Sequence, residues 1–334
     1  MRIPGIALAA TAALLALQPS AAAARNIILT NDDGLTGNVV ALYRALKDQG
    51  HDVIVSVPCK NQSGMGAALH IGRALAPLQE DCRNQAARAG DPGAGPVTHA
   101  DYAGGDFYYV DGTPVMALLY GLDVVADRRW GAQPDLVLSG PNEGQNVGAI
   151  VLSSGTVSNA QFAAMRGLPA IALSGGAESP GAQDLVTPQS EEVARHSVKL
   201  LQALEVNAGS GPLMPTGIAL NVNFPDDLTD AEWKLTRLGT YNAYNVGFTD
   251  NLAEAASPTM VEMARERGIE VPPLPGVSFE FNDADPASDQ FDDESIVYRQ
   301  NIAISPMQAG YALSPDGETW LRWQLGDLLA KDLN

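Results

Sequence analysis

Short apolar runs alternate with helical stripes along this chain, and that alternation constrains its fold more than any other feature. Asn26-Ile27-Ile28-Leu29-Thr30 is a β-branched run stopped by the turn cluster Asn31-Asp32-Asp33-Gly34. Val39, Val40, Leu42, Tyr43 and Leu46 then recur at helical spacing before Gly50. Asp52 to Val57 is a second apolar run, stopped by Pro58. Strand, helix and strand in roughly thirty residues make a βαβ unit, which requires a parallel sheet.

The alternation continues. A helix is expected from Thr113-Pro114 to about Ala126, with proline in its first turn, and Asp135 to Ser139 reads as a strand. Thr156 to Arg166 reads as a helix closed by Gly167, Ala170 to Ser174 as a strand, Glu191 to Leu204 as a helix and Gly217 to Val222 as a strand. Asn301 to Ser305 looks like a late strand, and Glu318 to Leu329 carries a helical apolar stripe that includes Trp320 and Trp323. These strands are continuous apolar runs, as in sheets covered on both faces, so the fold class is α/β. Leu42, Leu46, Leu118, Leu119, Phe162 and Met165 are candidate core residues.

Other segments stand outside this pattern. Met1-Arg2, an apolar stretch from Ile3 to Leu17 and the alanines ending at Ala24 have the layout of a secretory signal peptide over residues 1–24. The stretch is shorter than the roughly 20 residues of a comfortable membrane span, which disfavours an uncleaved anchor. The protein is therefore expected to be exported, to a periplasmic or extracellular space. There the two cysteines, Cys59 and Cys82, favour a disulfide over free thiols. Residues 25–334 are expected to form a single domain, with 223–300 as a peripheral, β-rich or lid-like excursion and 305–334 as a C-terminal tail. Seven acids and no base lie between Glu280 and Glu294, which reads as a solvated acidic loop.

A formal net charge of −19 argues against nucleic-acid polymers and anionic membranes as partners, since both are bound through basic patches. A small anion remains compatible with a metal or a helix N-terminus. In open parallel sheets, ligands bind beyond the carboxyl ends of the strands. Those ends here carry Asn31-Asp32-Asp33-Gly34, Asn61-Gln62-Ser63-Gly64 and Ser139-Gly140-Pro141-Asn142-Glu143-Gly144-Gln145-Asn146. Carboxylates, an amide oxygen and a hydroxyl are hard ligands that suit Mg²⁺ or Mn²⁺. Ser153-Ser154-Gly155-Thr156-Val157, just before a helix, reads as an N-cap and as an anion cradle. Tyr241 and Tyr244 follow Gly239 near the strand ends, where an aromatic ring could stack on a base. The four histidines are scattered and read as core or surface residues; His70 is the one nearest the Ser63 loop.

Together with Asp111-Gly112-Thr113-Pro114, Gly167 to Ser174 and Asn221-Val222-Asn223-Phe224-Pro225, these motifs occur in the order seen in the SurE survival-protein family, which residues 26–240 resemble. The resemblance implies a three-layer, Rossmann-like α/β fold with a mainly parallel sheet and a C-terminal extension. It implies a nucleotidase that removes phosphate from nucleoside 5′- or 3′-monophosphates with one divalent metal ion per site. By motif, Asp32, Asp33, Ser63 and Asn142 would hold the metal, with Asp32 or Asp33 also catalytic. Asn146, Ser154, Gly155 and Thr156 would lie around the phosphate. It further implies a homo-oligomer, a dimer or tetramer. The stretch from Leu78 to Asp106 looks longer than the family core.

Four rivals compete. A haloacid-dehalogenase-type phosphatase would need a nucleophilic aspartate where Asn31 stands, and an amide cannot form the acyl-phosphate. A serine hydrolase would need Ser63 in a Gly-x-Ser-x-Gly elbow, which it lacks. A broad-specificity secreted acid phosphatase of the same fold, or a non-enzymatic secreted protein binding a metal or anion in the same cleft, stays open.

Overall fold

The computed structural model describes residues 24–176, 185–209, 211–266, 270–311 and 315–325. The expected signal peptide lies almost wholly outside the described residues. The strands are β1 (Asn26–Thr30), β2 (Asp52–Pro58), β3 (Ala94–Pro96), β4 (Phe107–Val110), β5 (Leu136–Glu143), β6 (Ala170–Gly175), β7 (Ile218–Asn223), β8 (Trp233–Leu235), β9 (Tyr244–Thr249), β10 (Gly276–Phe281) and β11 (Ile302–Gln308). The helices are α1 (Gly37–Asp48), α2 (Pro114–Tyr120), α3 (Ala126–Trp130), α4 (Gly155–Met165), α5 (Pro188–Ala208), α6 (Leu252–Ala255), α7 (Pro258–Glu266), α8 (Glu294–Val297) and α9 (Pro315–Gln324). Among the described residues, no helix is long and apolar enough to cross a membrane.

Nine strands form one sheet in the order β3-β4-β2-β1-β5-β6-β7-β11-β8. From β4 through β7 every pairing is parallel, while β3 and β11 pair antiparallel with β4 and β7. The parallel strands are buried on both faces, which explains their unbroken apolar runs. Ile27 and Leu29 of β1 join Val39, Leu42 and Leu46 of α1 and Val193 and Leu201 of α5 in one core layer. Ile28 points the other way, into a layer with Leu118 of α2 and Val157, Ala160 and Ala163 of α4. The result is helices, sheet, helices, as the three-layer reading expects.

The chain leaves β1 toward β2 on one side and returns through β5 on the other. The crevice beyond the carboxyl ends of β1 and β5 is thus the topological switch point, where such sheets bind ligands.

Several elements differ from the sequence reading. The helix expected to stop near Ala126 runs on through α3 to Trp130, past a widened turn over Gly121–Val125. Gly121 lies against β2, where an added Cβ would stand 3.0 Å from Ser56 Cβ. The stretch from Leu78 to Asp106, which looks longer than the family core, supplies β3 and leads into β4, which extends the sheet. Met165 is not core: it is exposed at the end of α4. The acidic segment is not a solvated loop throughout, because its last two residues, Asp293 and Glu294, are fully buried. Asp293 accepts hydrogen bonds from Arg237 Nε (2.7 Å) and the backbone N–H groups of Thr240 (2.8 Å) and Tyr241 (2.9 Å). Within 223–300, β9 and β10 form a separate antiparallel pair.

Candidate active site

The site begins where β1 ends. Asn31 closes its own turn, donating to the Gly34 carbonyl (2.7 Å) and accepting from the Gly34 N–H (3.2 Å). This bends the chain so that Asp32 and Asp33 lie side by side, only 3% and 2% exposed.

Asp32 turns toward α4. Its carboxylate accepts from the Gly155 N–H (3.1 Å) and from the Thr156 hydroxyl. Burial raises its pKa, and the Thr156 hydroxyl and the N–H groups of Gly155 and Thr156 work against that rise. Gly155 is required here by space: a Cβ would stand 2.5 Å from Pro114 Cγ and 2.6 Å from Asp32 Cβ. Asp33 turns toward β2 and β5. It accepts from Asn61 Nδ2 (3.0 Å) and the Glu143 N–H (3.0 Å), with Arg83 Nη1 4.0 Å away. Burial, then the charges of Asp32 and Glu143, hold its carboxyl well above the usual range.

Asn142 was expected in a loop, yet β5 continues through Glu143, and Asn142 and Glu143 pair with Ser174 and Gly175 of β6 past an irregularity. Asn142 Nδ2 donates to the Gly144 carbonyl (2.8 Å), which leaves Oδ1 facing the Thr156 hydroxyl at 3.2 Å. Asp32, Asp33 and Asn142 are thus brought together. Ser63 lies on the neighbouring turn, anchored by the Gln62 N–H on the Asp32 carbonyl (2.7 Å). It is exposed and its hydroxyl bonds neither carboxylate. Among the described residues, no three His, Cys, Asp or Glu side chains gather as a metal cage. The oxygen set is mixed instead. Two buried, mutually repelling carboxylates and an amide oxygen fit a hard divalent cation.

The expected phosphate residues are close by but already engaged. The Ser154 hydroxyl caps α4, accepting from the Val157 N–H (3.0 Å), while Gly155 and Thr156 donate to Asp32. Asn146 is locked in place. Its N–H donates to Asn223 Oδ1 (2.8 Å), its Nδ2 to Ser174 Oγ (2.9 Å), and its carbonyl accepts from Asn221 Nδ2 (2.8 Å) and Asn223 Nδ2 (3.1 Å).

The stacking role expected of Tyr241 is overturned. Tyr241 is 3% exposed, its hydroxyl donates into the carbonyls of Asn282 and Ala284 (both 2.8 Å), and Arg299 covers its ring at 5.4 Å. Tyr244 is half-buried against Phe279 and Phe281, with ring centroids 6.2 and 5.3 Å away. His70 is exposed beside Arg73.

Sequence reasoning missed Arg83, Glu143, Asn61 and Glu294 as members of this neighbourhood. Glu143 and Asn61 sit inside the strand-end motifs themselves. The one trace of Arg83 was its place next to Cys82. Glu294 left no local signal, because its partners Asn221 and Gly148 are distant in sequence.

The survival protein SurE family model matches residues 27–245. The chain is 36% identical over 200 residues to the 5′-nucleotidase SurE of Nitratidesulfovibrio vulgaris, covering 60% of this chain and 61% of that protein. It is 32% identical over 214 residues to that of Fervidobacterium nodosum, covering 64% and 70%. An acid phosphatase of Yarrowia lipolytica is 33% identical over 206 residues, which are 60% of this chain but only 56% of that relative's length. The fold is similar to that of the SurE protein from Aquifex aeolicus, with a TM-score of 0.61 at 24% identity, covering 90% of this chain and 99% of that one.

Proposed function

Because the chain belongs to the survival protein SurE family, we propose that it is a divalent-metal-dependent phosphatase that removes phosphate from nucleoside 5′- or 3′-monophosphates. The observation that carries this reading is the buried pair Asp32 and Asp33, set with Asn142 Oδ1 at the switch point and against the first turn of α4. Asp32, Asp33 and Asn142 would hold one Mg²⁺ or Mn²⁺, with Ser63 reaching in from its turn. When bound, such an ion supplies positive charge to the phosphoryl oxygens and acidifies water.

The chain's own groups bind and orient. The positive end of the α4 dipole faces the crevice and favours an anion there. Asn146, fixed by Asn221, Asn223 and Ser174, presents a rigid edge on which a phosphoryl group is aligned.

The test is phosphate release from a panel of nucleoside monophosphates and an aryl phosphate, with EDTA and with Mg²⁺ or Mn²⁺ restored. Metal-restored release with a nucleotide preference supports the reading. Equal release from aryl phosphate would shift it to the broad acid phosphatase suggested by the Yarrowia lipolytica relative. No release with either metal would leave a binding protein.

Export is part of the same proposal, supported by the Cys59–Cys82 disulfide. Its check is the N-terminal residue of the mature protein, with an intact Met1 counting against it. Oligomer formation is also proposed. Val246, Phe248 and Val277 of β9–β10 and Trp320 and Trp323 of α9 are exposed apolar residues with no partner surface among the described residues. A monomeric mass by sedimentation would sink it.

A further inference from the structure

We propose that Arg83, fastened by the Cys59–Cys82 disulfide, is a positioning residue that holds the two halves of the active-site crevice at their working separation, so that opening the disulfide slows turnover. The inference rests on the phosphatase reading for its consequence, though not for its geometry.

Arg83 spans the switch point. Its Nη1 donates to the Asp33 carbonyl (2.9 Å) in the loop after β1, and its Nη2 donates to Glu143 Oε2 (2.7 Å) at the end of β5. It is the one cation that pairs with either carboxylate among the described residues. The other oxygen of Glu143, Oε1, is buried without a partner, so this carboxylate depends on the guanidinium. Arg83 carries a planar fork, and both prongs are in use, one on the loop after β1 and one on the end of β5.

What holds Arg83 there is remote in sequence. The disulfide joins the end of β2 to Cys82 across 23 residues, and the Arg83 N–H donates to the Cys59 carbonyl (2.8 Å). The next residue, Asn84, reaches the Leu35 carbonyl (2.8 Å). Residues 82–85 therefore lie as a clasp over the acid-bearing loop. Gly34 lies beneath it, where an added Cβ would be 3.1 Å from the Pro58 carbonyl oxygen and 3.5 Å from Arg83 Cβ. The clasp is strained, since Asn84 and Gln85 both have positive φ, 48° and 55°. A strained, cross-linked segment that delivers one guanidinium to the site is a device for placement.

An external dithiol opens the bridge by exchange. The S–S bond breaks, Cys59 and Cys82 each end as a thiol, and the dithiol closes to a cyclic disulfide. The clasp is then free to relax from its strained backbone, and Arg83 loses its anchor.

The experiment compares kcat and KM for a nucleoside monophosphate and an aryl phosphate in five forms: the oxidised chain, the dithiol-reduced chain after removal of the reductant, Cys59→Ser/Cys82→Ser, Arg83→Lys, and the triple variant. Amide hydrogen exchange at Glu143, whose N–H bonds Asp33, is read in parallel. Loss of registration is expected to lower kcat by about 10- to 100-fold, with KM moving less than about threefold. Arg83→Lys keeps the charge without the fork, so it fails to restore kcat. The triple variant is no worse than the worse of its parents, because both changes break one link. Exchange at Glu143 accelerates in every form but the first.

Unchanged kcat in folded Cys59→Ser/Cys82→Ser, full activity in Arg83→Lys, or additive losses in the triple variant would each overturn the proposal. If the oxidised chain itself releases no phosphate, the phosphatase reading fails. Glu143 exchange then decides the clasp alone: acceleration on reduction sustains it, and unchanged protection refutes it.

Discussion

Glu294 offers the most quantitative test of the structure. It is fully buried, with Oε1 accepting from the Gly148 N–H (3.2 Å) and Oε2 from Asn221 Nδ2 (3.0 Å). Desolvation pushes its carboxyl from an ordinary 4.5 up to about 7, despite the Ser305 and Asn221 hydrogen bonds that oppose the rise. The folded chain therefore binds this proton more tightly than the unfolded chain. The resulting stability is fully present below about pH 4.5 and is lost as pH rises through about 7. At about 1.4 kcal/mol per pH unit the whole effect is about 3 kcal/mol, most of which falls between about pH 5 and 8.5. Glu294→Gln removes the titration and keeps the shape. Urea unfolding of both proteins across that range, with the disulfide intact, should show wild type losing about 2–3 kcal/mol relative to the variant as pH rises. A stability difference that stays level, or one that grows in favour of wild type at high pH, would refute the reasoning.

Other consequences can be checked alongside. Asp33→Asn removes a charge that faces Asp32 and Glu143 in a buried site, so it should fold with equal or higher Tm. It should also lose more than about 100-fold in phosphate release, because a direct metal ligand matters more than the hydrogen-bond partners behind it, whose loss costs about 10- to 100-fold; near-normal turnover in the folded variant would dismiss the assignment. Gly155→Ala puts a methyl 2.5 Å from Pro114 Cγ and 2.6 Å from Asp32 Cβ. Overpacking of that kind costs about 1–3 kcal/mol, read as a lower urea midpoint together with reduced turnover; an unchanged midpoint would mean that the α2–α4 contact yields. Opening the disulfide, which spans 23 residues, should lower stability in urea by about 3 kcal/mol on the loop-closure model, and a change below about 1 kcal/mol would mean that the 59–82 segment stays ordered without it.

The local chemistry of the chain is legible in its sequence. The apolar runs at Ile27–Leu29 and Ala170–Leu173 and the stripe through Val39, Leu42 and Leu46 declare parallel strands and a covering helix, because period and burial are written into neighbouring residues. The turn at Asn31–Gly34 and the cap at Ser154 are equally local. These features placed Asp32, Asp33 and Asn142 at strand ends.

What the sequence could not decide depends on chain segments that meet from far apart. Asn142 proved to lie on a strand because β6 pairs with it, and Gly155 and Thr156 proved to serve Asp32, which is more than 120 residues away in the chain. Tyr241 looked like a stacking platform until the carbonyls of Asn282 and Ala284 closed over its hydroxyl. Asp293 and Glu294 looked like the end of a solvated acidic run, and only their docking on Arg237, Gly148 and Asn221 makes them buried acids. The same holds for Arg83, which a cross-link returns to a loop 50 residues earlier. A residue's type and spacing set its local conformation. Its burial, its partners and therefore its proton affinity come from whichever distant segment packs against it, and that is a property of the fold as a whole.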